Sequence, residues 1–458
     1  MLHGMHSPYG LSRGIRLEKH RSRSLKKEIR DVEEERRKEA AERGKKGKNA
    51  AEERFLLIPL YGGEESSARL VKAGDRVEKY QALTSPVEEP VVFSPSAGVV
   101  EEIRPVEIPL EGSVLCARLR LLCDGEEEQK VAGKNAGRSG ENGSFKRVDA
   151  GEKKNSAKEG GEAVLIAAER AGIRDEFDGT PLSQLAKRFR ASGVKVLVGC
   201  GLDDDPYADS SGAVLREYSR EAAEGLRMFA GACGVEKNIL AATSFYTWRR
   251  VRAAEQGTPV VSMGGKTPAK GVLAGRLRRS LGKAGFVGAQ ACAALYRAVQ
   301  EGMPQTDTVV TVAGDGVWRA GNLRVPIGTP IGELLERCGV LPDTKLVYIG
   351  PAISGEAVTD LSLPVTQRTR CITALKQEPV NKTFACIGCG RCARVCMRGI
   401  LPWLVHDVIN RDTVDPMMLW NVERCTSCHS CSAACPAGID LAAEVARAAA
   451  IRKSGDFE

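Results

Sequence analysis

Eight cysteines crowd into the last part of the chain, in two runs of identical spacing: Cys386-x2-Cys389-x2-Cys392-x3-Cys396 and Cys425-x2-Cys428-x2-Cys431-x3-Cys435. Thiolates separated by two residues can take three corners of one iron–sulfur cubane because the chain turns tightly between them. The fourth cysteine of such a run points onward and ligates the neighbouring cluster. The spacing therefore predicts two 4Fe-4S clusters, one on Cys386, Cys389, Cys392 and Cys435, the other on Cys396, Cys425, Cys428 and Cys431. Structural zinc uses paired CxxC knuckles and would leave the third and fourth cysteine of each run without a purpose.

Two neighbours of these cysteines bear on the chemistry. Pro436 follows the second run, whereas Met397 follows the first. Proline ligates nothing, so its replacement costs backbone stiffness and leaves the ligand count intact. His429 lies between Cys428 and Cys431 and invites a Rieske-like reading, but that needs two histidines on one iron, and His406 is the other nearby candidate. With four sulfurs available per cluster, His429 is expected to be a surface imidazole able to tune the cluster by a hydrogen bond or charge.

The seven other cysteines, Cys116, Cys123, Cys200, Cys233, Cys292, Cys338 and Cys371, stand singly and read as buried thiols. The chain has 458 residues, which suggests roughly three folded units. Its net charge of +8 comes from basic residues interspersed with nearly as many acids, and aromatics make up only 5%, so a base-stacking nucleic-acid binder is not expected. No apolar run reaches the ~18 residues of a spanning helix. The opening MLHGMHSPYGLSRG lacks the apolar core of a signal peptide, so the expectation is a cytoplasmic protein with at most peripheral membrane contact. Disulfides are disfavoured in that compartment. With five histidines, three of them in the first twenty residues, a Ser/His/Asp set has little to draw on, and no catalytic residue is assigned.

The elements that must hold this chemistry give a multidomain chain of α/β and α+β class. Residues 1–54 read as an N-terminal segment with a charged helix, and 55–123 as a small β barrel-sandwich of short strands and tight turns. Residues 124–162 are Gly-, Lys- and Glu-rich and read as a disordered linker. From 163 to 305 the pattern is α/β, with KVLVGCG as a buried strand and SGAVLREYSREAAEGLRMFAGACG as one amphipathic helix. The segment GKAGFVGAQACAALYRAVQEGMP reads as a helix with small residues at close contacts. Residues 306–370 read as a β-grasp module whose helix, PIGELLERCG, closes on Gly339, and 371–458 as a ferredoxin-like dicluster domain.

In this order the chain resembles the RnfC family, the C subunits of Rnf electron-transport complexes. HGMHSPY (His3–Tyr9) is similar to that family's opening, VKAGDRVEKYQAL (Val71–Leu83) with SPSAGVVEEI (Ser94–Ile103) to its barrel-sandwich, and VTVAGDGVWRAGNLRVPIGTPIGELLERCGV (Val310–Val340) to its SLBB β-grasp. The resemblance implies a central domain like the 51-kDa NADH- and FMN-binding fold, electron exchange with ferredoxin, flavodoxin or membrane-complex subunits, and a peripheral seat on the cytoplasmic face of a membrane. In CGLDDDPYADSSG, Asp205, Tyr207 and Asp209 match its flavin and nucleotide region. The family's glycine-rich loop is replaced by AGIRDEFDGTPLSQLAKRF (Ala171–Phe189), where Asp175, Glu176 and Asp178 are expected to repel phosphates. Three functions are weighed: an iron–sulfur electron relay, a flavin-dependent NADH:acceptor reductase acting on ferredoxin or cobalamin, and a structural adaptor.

Overall fold

A computed structural model describes residues 54–61, 69–85, 90–122, 157–203, 207–242, 245–254, 257–262, 281–350, 355–377, 383–396, 398–410, 419, 421–425, 427 and 429–454. Asp205, Cys428, Met397 and Cys123 lie outside these, as do the charged N-terminal segment up to residue 53 and the linker as far as residue 156.

The first sheet is antiparallel, in the order β1 (Phe55–Pro59), β4 (Gly112–Leu121), β3 (Gly98–Ile108), β2 (Arg76–Val77). Its inner face is Leu56, Ile58, Val77, Val100, Ala117 and Leu119, supplied by alternate positions of the strands. Leu57 faces the other way and joins Val106, Ile108 and Cys116 in the core of the second sheet, so the two sheets share buried apolar surface. The Leu57 amide also donates to the Gly328 carbonyl at 2.8 Å.

That second sheet is mixed, in the order β10 (Gly321–Pro326), β9 (Asp307–Ala313), β13 (Cys371–Leu375), β11 (Leu346–Ile349), β12 (Glu356–Val358). It is covered by a helix, Ile331–Cys338, whose Ile331, Leu334, Leu335 and Cys338 are buried at helical spacing. The helix ends on Gly339 in the left-handed conformation, as its sequence predicts.

Between these two in the chain lies a parallel sheet with the order β7 (Val260–Ser262), β6 (Lys237–Ala242), β5 (Val196–Gly201), β8 (Ala284–Gly288). The helices here are α1 (Ala157–Arg170), α2 (Leu182–Ser192), α3 (Ser210–Glu217), α4 (Ser219–Cys233), α5 (Phe245–Ala254) and α6 (Ala289–Glu301). The helix α1 begins inside the stretch that composition assigns to a linker, because Leu165, Ala167 and Ala168 give it an apolar face to bury. The single helix expected over 211–234 is two, broken at Tyr218, whose ring lies about 5.4 Å from the Arg297 guanidinium and 5.5 Å from that of Arg324. The stretch 282–304 is likewise two elements, β8 and α6. The packing expected of it is real: a Cβ on Gly225 would sit 1.8 Å from the Cys292 carbonyl oxygen, so only glycine lets α4 meet α6 at that distance. In chain order the helix Ile331–Cys338 is α7, and after it come α8 (Arg391–Val395), α9 (Pro402–Ile409), α10 (Ser430–Ala433) and α11 (Leu441–Ser454).

Candidate cluster seats and the sheet behind them

The two cysteine runs are built as copies of one backbone unit, thirty-nine positions apart from Cys386 to Cys425. In the first copy, Gly388 (φ 65°) and Gly390 (φ 66°) take left-handed conformations just before α8; in the second, Ser427 (φ 47°) and His429 (φ 52°) take the same conformations before α10. Each short helix then returns on itself: the Cys396 amide donates to the Ala393 carbonyl at 3.3 Å, and the Cys435 amide to the Ser432 carbonyl at 3.1 Å. The next turn is repeated too, Gly399 to Cys396 and Gly438 to Cys435. In sequence, Met397 and Pro436 occupy equivalent positions of the two runs, and the described residues that flank each carry the same glycine-to-cysteine hydrogen bond.

One small cavity, partly open to solvent, is lined by Cys386, Cys389, Cys392 and Cys435, with Ile387, Trp403 and Leu441 among its walls. The fourth cysteine of the second run thus faces the first three of the first run. Cys392 and Cys435 are buried while Cys386 and Cys389 are exposed. Burial pushes the Cys392 thiol up, its neighbours Cys435 and Cys389 add to this, and backbone N–H groups of Trp403 and Ala393 donate to its sulfur and oppose it. Cys396 and Cys425 pack against a different apolar cluster, that of Ile400, Val405, Val408, Val422 and Val445. Cys431 packs against Cys392, Cys435, Ala437, Ile439 and Leu441. Cys396 and Cys425 thus share one apolar cluster, while Cys431 lies with the residues of the first seat. Among the described residues, no three His, Cys, Asp or Glu side chains converge on a single-ion point.

Both histidines have structural settings. His406 bonds the Glu444 carboxylate through Nδ1 at 2.8 Å, tying α9 to α11. His429 supplies the left-handed residue that opens α10, a conformation in which histidine is enriched among non-glycine residues. Two apolar side chains that no sequence motif singles out line the cavity and stay partly exposed, Ile387 at 70% and Trp403 at 37%, and Phe384, two residues before Cys386, is 64% exposed. Arg391, Arg394 and Arg398 are exposed nearby in the chain.

Between β5 of the parallel sheet and α3 lie Tyr207 and Asp209, two of the three residues matched to a flavin and nucleotide region. The strand order of that sheet, read in chain order, is third, second, first, fourth, so the direction of winding reverses between β5 and β8. Ligands of open α/β sheets bind at the carboxyl ends of the strands flanking such a reversal, commonly with phosphate on a helix N-terminus. Here that end is filled by the protein. Glu176, 1% exposed, accepts the amide hydrogens of Gln290 (2.9 Å) and Ala291 (3.1 Å) at the start of α6. Asp175 accepts the Gly288 amide at 2.7 Å. Asp203, wholly buried, accepts those of Ser211 (3.1 Å) and Gly212 (3.0 Å) at the start of α3.

Burial and the Asp175 charge raise Glu176 to about 7, against the pull of its amide donors. Burial and Asp209 raise Asp203 to about 6, opposed by Arg370. Asp178 alone of the three loop acids is exposed, and it accepts the Thr180 amide. Asp209 pairs with Arg216 and accepts from Asn322 Nδ2 at 3.2 Å, while its own amide donates to Thr311 Oγ1, so it joins α3 to the mixed sheet. Tyr207 is half-buried in the turn before α3.

Two family models match parts of the chain. Residues 385–439 match the 4Fe-4S dicluster domain family, and 309–349 match the SLBB domain family. The chain is 29% identical over 272 residues to the C subunit of the ion-translocating oxidoreductase complex of Rhodobacter capsulatus, covering 53% of this chain and 50% of that protein. It is 25% identical over 383 residues to the same subunit of Actinobacillus succinogenes, covering 77% of this chain and 50% of the relative. The chain thus spans about half the length of the curated relatives it matches. Among solved structures, an NAD+-reducing NiFe hydrogenase in the H2-reduced state aligns over 66% of this chain and 68% of that one, with a TM-score of 0.43 and 14% identity.

Proposed function

We propose that this chain, a divergent relative of the C subunits of Rnf-type ion-translocating oxidoreductases with SLBB and 4Fe-4S dicluster domains, works as an electron relay between protein partners. The observation that carries the reading is the shared cavity of Cys386, Cys389, Cys392 and Cys435, because a ligand drawn from the opposite run is the signature of paired cubanes. Cys396, Cys425, Cys428 and Cys431 would hold the second cluster. A cubane has its irons at separate corners, so its ligands stand around a cavity rather than at one point, in keeping with the absence of a single-ion site among the described residues.

When bound, such clusters pass single electrons at potentials spanning about −700 to +450 mV. The chain's own residues set the terms. Apolar walls of Ala437, Ile439 and Leu441 exclude water from the inner thiolates, and amide donors from Ala393 and Trp403 stabilise negative charge on Cys392. The exposed pair Cys386 and Cys389 opens one side of the first seat to a partner. The rim of Phe384, Ile387 and Trp403, with Arg391, Arg394 and Arg398 close in sequence, suits an acidic redox protein of the ferredoxin or flavodoxin class, or an acidic face of another protein in a membrane complex. Among the described residues no helix is long and apolar enough to cross a membrane, so a place in such a complex would be peripheral.

Anaerobic reconstitution tests the reading. About eight irons per chain and two magnetically interacting 4Fe-4S signals in EPR after dithionite reduction are expected. A chain with all eight thiols intact that takes up no cluster would end it. The alternative of a flavin-dependent NADH:acceptor reductase requires residues that accommodate flavin and nucleotide phosphates, and the switch point between β5 and β8 does not fit them. Its helix N-termini already hold Glu176 and Asp203.

A further inference from the structure

We infer that the α/β domain is self-liganded: Glu176, with Asp175 beside it, occupies the anion seat at the start of α6, and Asp203 the one at the start of α3, so the domain completes its fold without a nucleotide or flavin.

Both seats lie at one place in the fold. The two helices follow the two strands, β5 and β8, between which the winding reverses, and their free amides point at the crevice where an anion would bind. A helix start normally leaves four N–H groups without intrahelical partners. At α6, Glu176 takes two of them with both carboxylate oxygens, at 2.9 and 3.1 Å, while Asp175 takes the amide of Gly288 immediately before it. Two carboxylates therefore span three consecutive or nearly consecutive amides, as the oxygens of one phosphate would.

Gly288 makes the close approach possible. Its φ of −69° is open to any residue, so no turn requires glycine there. A Cβ at that position would lie 1.8 Å from Glu176 Oε2 and 1.9 Å from its carboxyl carbon. Glycines at strand–helix junctions in dinucleotide folds serve to let a phosphate come near the backbone; this one serves a side chain of the same chain.

At α3, Asp203 repeats the device with both oxygens, on Ser211 and Gly212. Arg370, 5% exposed and stacked 4.5 Å from the Phe177 ring, supplies buried positive charge that favours ionised Asp203. The loop that brings in Asp175 and Glu176 is closed on itself by Asp175 N–H to Thr180 O and Gly179 N–H to Asp175 O, both 2.9 Å. Such a loop is a built element with Asp175 and Glu176 aimed inward, onto the amides that a phosphate would otherwise meet.

The test uses the full reconstituted chain. Titration with FMN, watched by flavin fluorescence, and with NADH, watched by cluster bleaching, is expected to give no saturable binding in the micromolar range. Glu176→Ala is expected to lower the melting temperature, with sulfate recovering most of the loss in that variant alone. Leu185→Ala, which removes a buried core side chain from α2, controls for the general effect of sulfate and is expected to gain no more than the parent chain. Should Glu176→Ala fail to fold, Glu176→Gln retains one acceptor oxygen and is expected to show a smaller loss and a smaller sulfate effect. Stoichiometric FMN or NADH binding by the parent chain, or a sulfate gain equal in the Leu185 control, would overturn the inference. Iron content and EPR are read in the same samples and report separately on the cluster reading.

Discussion

His429 and Ser427 do with side chains what Gly390 and Gly388 do without them. A left-handed conformation costs an ordinary L-residue about 1–2 kcal/mol, and histidine is among the residues that tolerate it best. His429→Gly is therefore expected to stabilise the holo protein by up to about 1 kcal/mol, measured by thermal melting at constant iron content, with little change in potential. His429→Val should lower cluster incorporation, since a β-branched residue at φ 52° is the harder case. A potential shift well beyond the stability effect in His429→Gly would return the imidazole to a tuning role.

Cysteine ligation makes a sharper test. Cys435→Ser and Cys389→Ser are both expected to remove the first cluster and halve the iron, although the two residues sit in different runs, whereas Cys396→Ser is expected to remove the second. Loss of the same EPR signal in the first two variants is the check, and loss of different signals would break the crossed assignment. The cysteine pattern was readable because ligand spacing is a local property of sequence. The partly exposed Phe384, Ile387 and Trp403 were not, because an apolar residue carries no sign of which way it faces until the seat beneath it exists.

At the scale of elements, the informative pieces are the loop 173–181 and the two helix starts it serves. Glu176 and Asp203 have folded values near 7 and 6 against ordinary values of 4.5 and 3.8. Between each pair of values the folded chain binds more protons than the unfolded one, so their contribution to stability falls as pH rises from about 4 to about 7. Melting temperature measured across that window is expected to fall less steeply in Glu176→Gln than in the parent chain. A parallel profile in the two would show that another group carries the slope. Asp175, Asp209 and Arg370 face these carboxyls and set the reference for both.

Gly288→Ala should act on the same contact from the other side, destabilising by about 1–3 kcal/mol because the new methyl must displace a buried carboxylate. The strands of this sheet could be read from their apolar runs. The carboxylate cap on α6 could not, because Glu176 and the amides of Gln290 and Ala291 are more than a hundred residues apart. The break at Tyr218 is a tertiary effect of the same kind, since the residues around its ring, Arg297 and Arg324, belong to α6 and β10.

The whole molecule is less modular than its composition suggests. Leu57 and Cys116 of the first sheet lie in the core of the second, Val309 of the second lies in the core of the α/β unit, and Gln290 bonds the Val309 backbone on both its N–H and C=O. Buried apolar side chains therefore pack across the boundaries that the sequence pattern suggests near 123 and 306. Surface charge is also a property of the whole: with a net +8, electron exchange with an acidic partner should slow as salt rises from about 0.05 to about 0.3 M, as screening shortens the reach of the field. Stopped-flow reduction by an acidic ferredoxin measures this. A rate indifferent to salt, or unchanged in Arg391→Glu/Arg394→Glu, would move the docking face elsewhere.

The carboxylates that close the switch point of the parallel sheet also decide what a cell must supply to make this protein. A domain whose helix caps are encoded in its own chain matures without drawing on the flavin pool, so its abundance should follow translation and iron–sulfur assembly and ignore riboflavin status. In cells starved of iron the α/β and β-grasp units would then persist as a folded, redox-silent body awaiting its tail.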